Sequence, residues 1–269
     1  MLTHQVSVDR GRRIVVKRYE HADREQPARE WRALLLLAEH APGLAPEPIL
    51  ADLAGNPAVI EMSLLDGEPL GGEPLTQEQE SAVLRAVGQL WQAVPVSKVT
   101  MLPDQRAHET EAWLAQQVRE MAASYDLGED PVVRSAELAG LDWLSWADVG
   151  GGEHGLPQVF GQGDSNLANF LWDGERVRIV DFEDSGVSDR AFELGQLVEH
   201  IAAWHHAGLN ADQFAAAFDL TAAERARLAD TRRLAALYWL LRLRPGGDVS
   251  ERNPPGTLRR QAERLLALL

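Results

Sequence analysis

Three polar residues, Asp164, Asn169 and Asp181, flank two short apolar, β-prone runs, Phe170-Leu171-Trp172 and residues 177–180. Asp173-Gly174 between the runs is a strong turn pair, so the stretch predicts a β-hairpin. Asp164 and Asn169 precede its first strand and Asp181 follows its second, which brings all three to one end. Two acids and an amide placed together suit magnesium-dependent phosphoryl transfer. Mg²⁺ binds through one or two protein oxygens plus substrate phosphates, and Asn169 and Asp181 would supply those oxygens. A further carboxylate, Asp164, would hold an attacking hydroxyl in line and accept its proton. Asp and Asn are also favoured in turns, so any one of the three alone carries little weight.

Such a hairpin end needs a cation for the phosphates and elements to hold it. Residues 5–9 and 13–18 read as strands around the Arg10-Gly11 turn. Side-chain alternation puts Val15 and Lys17 on one face. Where that face lines a nucleotide site, Val15 packs on the base and Lys17 reaches the phosphates. In the following helix Pro27 suits a first helical position, and Trp31, Leu34, Leu35 and Ala38 recur at helical spacing. Glu30 shares a stripe with Leu34 and Leu37, so its carboxylate faces inward and needs a partner. Two accounts stand side by side: an ion pair with Lys17, as positions the phosphate-binding lysine of kinases, and an acid favoured by the helix dipole. Strands near 47–52 and 58–62 follow, joined by the Gly55-Asn56-Pro57 turn.

From Pro74 onward the pattern is mainly helical. Thr76 with Gln79 and Thr221 with Glu224 form capping boxes. Helices are expected over about 105–125, 131–146, 189–204, 211–218, 222–243 and 257–269, with Trp113, Trp143 and Trp146 in the core. His200, His205 and His206 lack the i, i+4 spacing of a helical metal pair, which points to exposed or capping roles at a helix end. Gly150 to Gly155 reads as a flexible linker.

Length and composition set the frame. The 269 residues, 45% hydrophobic with eight Trp, suffice for a substantial core in one large or two modest domains. Zero Cys excludes disulfides, thiolate ligands and a Cys nucleophile. No run of 18 apolar residues and no apolar stretch at the start occur, so no membrane span and no secretory signal are expected, and the cytoplasm is the default compartment. A net charge of -15 argues against nucleic acid as a partner. Residues 1–63 carry 8 basic and 9 acidic side chains, leaving 18 and 32 for the remainder. That concentration of acidity would attract a cationic acceptor, and an acidic solubilising surface explains it equally well.

The stretch resembles the catalytic and metal loops of the aminoglycoside phosphotransferase and choline kinase family, small-molecule kinases with the protein-kinase fold. The matching residues are Gly163-Asp164, Asn169, Val180-Asp181-Phe182-Glu183, Gly186 and Ser188 to Leu194. Gln162 stands where the family usually has His, a residue with mainly a scaffolding role. The resemblance implies that Lys17 is the nucleotide lysine. It also implies that residues 63–70 connect two lobes, that backbone groups of Ser63 and Leu65 bind the adenine edge, and that Met62 lies behind it. The implied architecture is α+β and two-lobed: a small β-rich lobe over 1–63, a hinge over 64–70 and a larger, mainly helical lobe over 71–269. The implied activity is ATP- and Mg²⁺-dependent transfer of the γ-phosphoryl group to a hydroxyl of a small molecule such as an aminoglycoside, amino alcohol or sugar. The family has a further first strand and a phosphate-covering loop before the lysine strand. Here barely a dozen residues precede that strand and no GxGxxG loop lies near Lys17, so either the small lobe is truncated or the true start lies upstream. A non-catalytic nucleotide-binding module is therefore the alternative expectation.

Overall fold

The computed structural model describes residues 4–20, 25–102, 110–124, 129–149, 155–245, 249 and 252–269. The chain divides into two units, Met1–Arg106 with Pro157–Arg190, and Ala107–Leu156 with Ala191–Leu269.

The first unit opens with a four-stranded antiparallel sheet in the order β1-β2-β4-β3, formed by β1 (Gln5–Asp9), β2 (Ile14–Tyr19), β3 (Pro48–Asp52) and β4 (Ala58–Ser63). Lys17 lies on an inner strand, opposite Val6 on one side and Ile60 on the other. Helix α1 (Glu25–His40) packs against β3 and β4 and buries Glu30, Ala33, Leu34 and Leu37, the inward stripe that the spacing predicts. After β5 (Glu68–Pro69), helix α2 (Gln77–Ala93) starts at Thr76, and both hydrogen bonds of its capping box form. A short helix α3 (Val96–Val99) follows.

The expected hairpin is present. Strands β7 (Phe170–Trp172) and β8 (Val177–Ile179) pair antiparallel, with Phe170 opposite Ile179. Asp173 accepts hydrogen bonds from the amides of Glu175 and Arg176, and Gly174 takes a φ of +100°. Strands β6 (Gln158–Gly161) and β9 (Gly186–Asp189) bracket this hairpin and pair with each other, Gly161 opposite Gly186. The loops that leave β6 and enter β9 therefore begin side by side.

The second unit is helical: α4 (Glu111–Ser124), α5 (Pro131–Trp146), α6 (Arg190–Glu199, whose first residue belongs to the first unit), α7 (Ala211–Ala216), α8 (Ala222–Arg242) and α9 (Thr257–Leu268). Leu114, Val118, Val133, Trp143, Leu237 and Leu265 share its core. Asp130 caps α5 ahead of Pro131, and the Thr221–Glu224 box caps α8.

Three expectations need correction. Trp146 is 70% exposed. Helix α5 buries Val133, Ala136, Glu137, Gly140, Trp143 and Leu144, and Trp146 falls off that stripe at 100° per residue. The helix expected over 189–204 stops at Glu199, and a π-helical turn spans Ala202–His206. His200 Nδ1 accepts from the Ala202 amide at 3.1 Å, so a side chain competes with the helical ladder where it breaks. His200 itself lies edge-on to Trp239, with ring centroids 4.7 Å apart, rather than exposed. Residues 150–154 of the expected linker lie outside the described residues. Among the described residues no helix is long and apolar enough to cross a membrane.

Candidate active site

The loop after β6 and the loop before β9 are locked together by backbone geometry and one amide. Phe160 and Phe182, both fully buried, stack beneath them with ring centroids 6.4 Å apart. Gly163 has a φ of +93°, and a Cβ there would sit 2.1 Å from the Asp184 carbonyl oxygen. Only glycine fits so close an approach in that conformation. Gln162 is buried and donates from Nε2 to the carbonyl oxygens of Asp181, at 2.7 Å, and Val180, at 3.3 Å. These bonds support Asp181 in a left-handed conformation, φ +65°, which costs a non-glycine residue roughly 1–2 kcal/mol.

Asp164 leaves this loop with both carboxylate oxygens engaged. Oδ1 accepts from the Asn166 amide at 3.1 Å and Oδ2 from Asn169 Nδ2 at 2.8 Å. Asn169 is in turn tied to the hairpin, because its carbonyl accepts from the Val180 amide at 2.9 Å. Burial, and then the charge of Asp181, push the Asp164 carboxyl up to about 6. The Asp164 carboxylate accepts from the amide nitrogen of Asn169, so Asn169 Oδ1 is the atom left for another partner.

Lys17 forms the other half of the site. Its Nζ donates to Glu30 Oε2 at 2.5 Å, to Asp181 Oδ1 at 2.7 Å and to Glu183 Oε2 at 3.4 Å. Glu30 is wholly buried and Lys17 nearly so. Burial alone would lower the Lys17 pKa, but Glu30 and then Asp181 outweigh it and hold the ammonium well above its ordinary value. Burial pushes the Glu30 carboxyl upward against the opposing pull of Lys17. The Tyr19 hydroxyl donates to the same Glu30 oxygen, and burial raises its pKa so that it stays a donor. Arg29 Nη1 donates to the Glu183 carbonyl at 2.9 Å, and His4 Nδ1 lies 2.9 Å from Glu183 Oε2. Of the two accounts of Glu30, the ion pair with Lys17 is the one formed.

One ammonium thus faces three carboxylates, a deficit of positive charge that a dication would relieve. Oxygens are available for it: Asp181 has one carboxylate oxygen beyond that held by Lys17, and Asn169 offers Oδ1. This donor set fits Mg²⁺, which prefers few protein oxygens and completes its shell with water and phosphate. Among the described residues, His4, Asp181 and Glu183 also bring ligand-type atoms within 4.8 Å of one another. The Lys17 ammonium already lies between the two acids of that trio.

Residues 2–237 match the model of the phosphotransferase enzyme family. The chain belongs to that family. A search of curated proteins gives no significant match. Among solved structures, an aminoglycoside phosphotransferase from Alicyclobacillus acidocaldarius subsp. acidocaldarius has a TM-score of 0.63 at 15% identity, over 99% of this chain and 88% of that one. A choline/ethanolamine kinase family protein from Mesorhizobium loti has a TM-score of 0.53 at 21% identity, over 100% and 84%. A spectinomycin phosphotransferase solved with ADP and spectinomycin has a TM-score of 0.58 at 13% identity, over 94% and 81%. At these identities the likeness establishes the fold, which is α+β and protein-kinase-like.

The remaining expected residues lie along β2, along β4 and just beyond its end. Val15 stands opposite Met62 in the ladder, Met62 is buried, and Ser63 and Leu65 are half-buried where β4 ends. Four residues escaped the reading of the sequence. Tyr19 follows Lys17 by two positions on the same strand face, a signal that alternation offers. Gln162 stood only as a departure from the family's His, and its two bonds reveal the scaffold. His4 and Arg29 reach Glu183 across more than 150 positions of sequence, and nothing local announces that.

Proposed function

We propose that this chain is an ATP- and magnesium-dependent kinase that phosphorylates a hydroxyl group of a small molecule. The observation that carries the proposal is the convergence on two linked loops: Asp181 takes the Lys17 ammonium on Oδ1, Gln162 ties the Asp181 backbone to the loop of Asp164, and Asp164 holds the Asn169 amide. A nucleotide lysine, a metal carboxylate and a general base are the parts that phosphoryl transfer requires.

Lys17, held by Glu30 and Tyr19, grips the α- and β-phosphates. Val15 and Met62 flank the base, and the backbone of Ser63 and Leu65 meets its edge, in the segment 63–70 that we take as the connection between lobes. Asn169 and Asp181 would hold Mg²⁺, which supplies charge neutralisation at the transferring phosphoryl group. Asp164 orients the acceptor hydroxyl and takes its proton as oxygen attacks the γ-phosphorus, and ADP leaves. With its pKa at about 6, Asp164 is ionised at neutral pH and close enough to it to act as a base. Alignment and electrostatics do most of the work in such a transfer.

Support for a cationic acceptor comes from the charge distribution, since residues 64–269 hold 32 acidic against 18 basic side chains. The neighbours named for aminoglycoside and choline/ethanolamine substrates make amino sugars and amino alcohols the first compounds to test. The test is ADP release from Mg-ATP across a panel of hydroxyl compounds, in wild type and Asp164→Asn. Acceptor-dependent release that falls at least 100-fold in the variant is expected, in line with the loss of a general base. Tight nucleotide binding without turnover on any acceptor would instead identify a non-catalytic module.

A further inference from the structure

Ser63 closes β4, and its hydrogen bonds depart from an ordinary ladder. The Leu64 amide donates to the Arg13 carbonyl at 2.8 Å, so 13 and 64 are a bonded pair and Ile14 and Ser63 a non-bonded one. Both backbone groups of Ser63 consequently point away from β2, toward the chain that enters β3. There the Ser63 amide donates to the Glu47 carbonyl at 2.9 Å. Antiparallel pairing would return a bond from the Glu47 amide to the Ser63 carbonyl. Instead the Glu47 amide donates to Ser63 Oγ at 2.8 Å. The hydroxyl has taken the place of its own carbonyl. Two residues on, beyond the end of β4, the Leu65 amide donates to no backbone carbonyl among the described residues.

We infer that Ser63 is a positioning residue that sets base specificity: its hydroxyl occupies the Glu47 amide, which leaves the Ser63 carbonyl and the Leu65 amide as an acceptor and a donor for the nucleotide base. This rests on the nucleotide-binding reading above. Adenine matches the pair, because its exocyclic amine donates and the adjacent ring nitrogen accepts. Hypoxanthine carries an oxygen and an N–H in those places and reverses both. Two mismatched polar contacts, at about 1 to 1.5 kcal/mol each, correspond to discrimination of roughly 30- to 150-fold.

The test is equilibrium binding of Mg-ATP and Mg-ITP to wild type, Ser63→Ala and Ser63→Thr, each checked for an unchanged urea midpoint. In Ser63→Ala the Glu47 amide is free to close the ladder onto the carbonyl. The preference for ATP over ITP is expected to fall at least tenfold there, and Ser63→Thr, which keeps the hydroxyl, to retain it. Full preference in Ser63→Ala, loss of preference in Ser63→Thr, or equal binding of both nucleotides by wild type would overturn the inference alone. Wild-type protein that binds neither nucleotide would overturn it together with the reading beneath it.

Discussion

Replacing Asp164 by Asn removes a carboxyl that the folded chain holds at about 6, against an ordinary value of 3.8. The native state therefore binds more protons than the unfolded state across that interval. Stability from this group is complete below the lower value and declines as pH rises through the upper one. A difference of about two units corresponds to ~3 kcal/mol, and because the side chain is only half-buried, solvent reduces this to roughly 2 kcal/mol. Asparagine keeps an acceptor for the Asn166 amide but sets one amide nitrogen against that of Asn169, a cost that does not vary with pH. Subtracting the two stabilities cancels the titrating groups that do not interact with Asp164, leaving Asp164 and its coupling to Asp181 and Asp184. Urea unfolding in EDTA should give a wild-type stability that drops relative to Asp164→Asn by roughly 2 kcal/mol between about pH 4 and pH 7. A difference that is flat with pH, or rises, would refute the account of how burial and Asp181 act on Asp164.

Other outcomes follow from the same geometry. Gly163→Ala must relieve a 2.1 Å contact at positive φ, so a loss of at least ~2 kcal/mol in urea unfolding is expected, along with lost nucleotide binding. Lys17→Met leaves Glu30 buried without its cation and should cost about 3–5 kcal/mol, more than half of it recovered by adding Glu30→Gln; additive losses in the double-mutant cycle would count against the pair. Burial, and then Arg242, lower the His200 pKa to about 4 from 6.5. The unfolded state therefore takes up the proton first, and stability should fall by up to ~3 kcal/mol as pH drops through that window. His200→Gln should flatten this dependence in acid titrations followed by circular dichroism.

The parts of the site readable in the sequence were those fixed by local chemistry. Asp173-Gly174 between two apolar runs dictates a hairpin, and a hairpin places residues 164, 169 and 181 at one end whatever surrounds it. Glu30 was readable because a carboxylate on an apolar helical stripe has to find a cation, and Lys17 was the inward-facing one. The contributions of His4 and Arg29 depend on contacts to Glu183 from distant sequence, which no periodicity encodes. Trp146 misled because a large aromatic near a helix end suggests burial, whereas its angular position decides. The break after Glu199 was hidden in His200, whose ring accepts a backbone amide that an uninterrupted helix would have used.

Binding of Mg-ATP tests the central claim most directly. With nucleotide at about 100 times its dissociation constant, the wild-type protein should be stabilised by roughly 2.7 kcal/mol. The gain should vanish in EDTA and in Asp181→Ala, and persist in Asp164→Asn. An unfolding midpoint that does not move at millimolar Mg-ATP, or moves equally in Asp181→Ala, would contradict it.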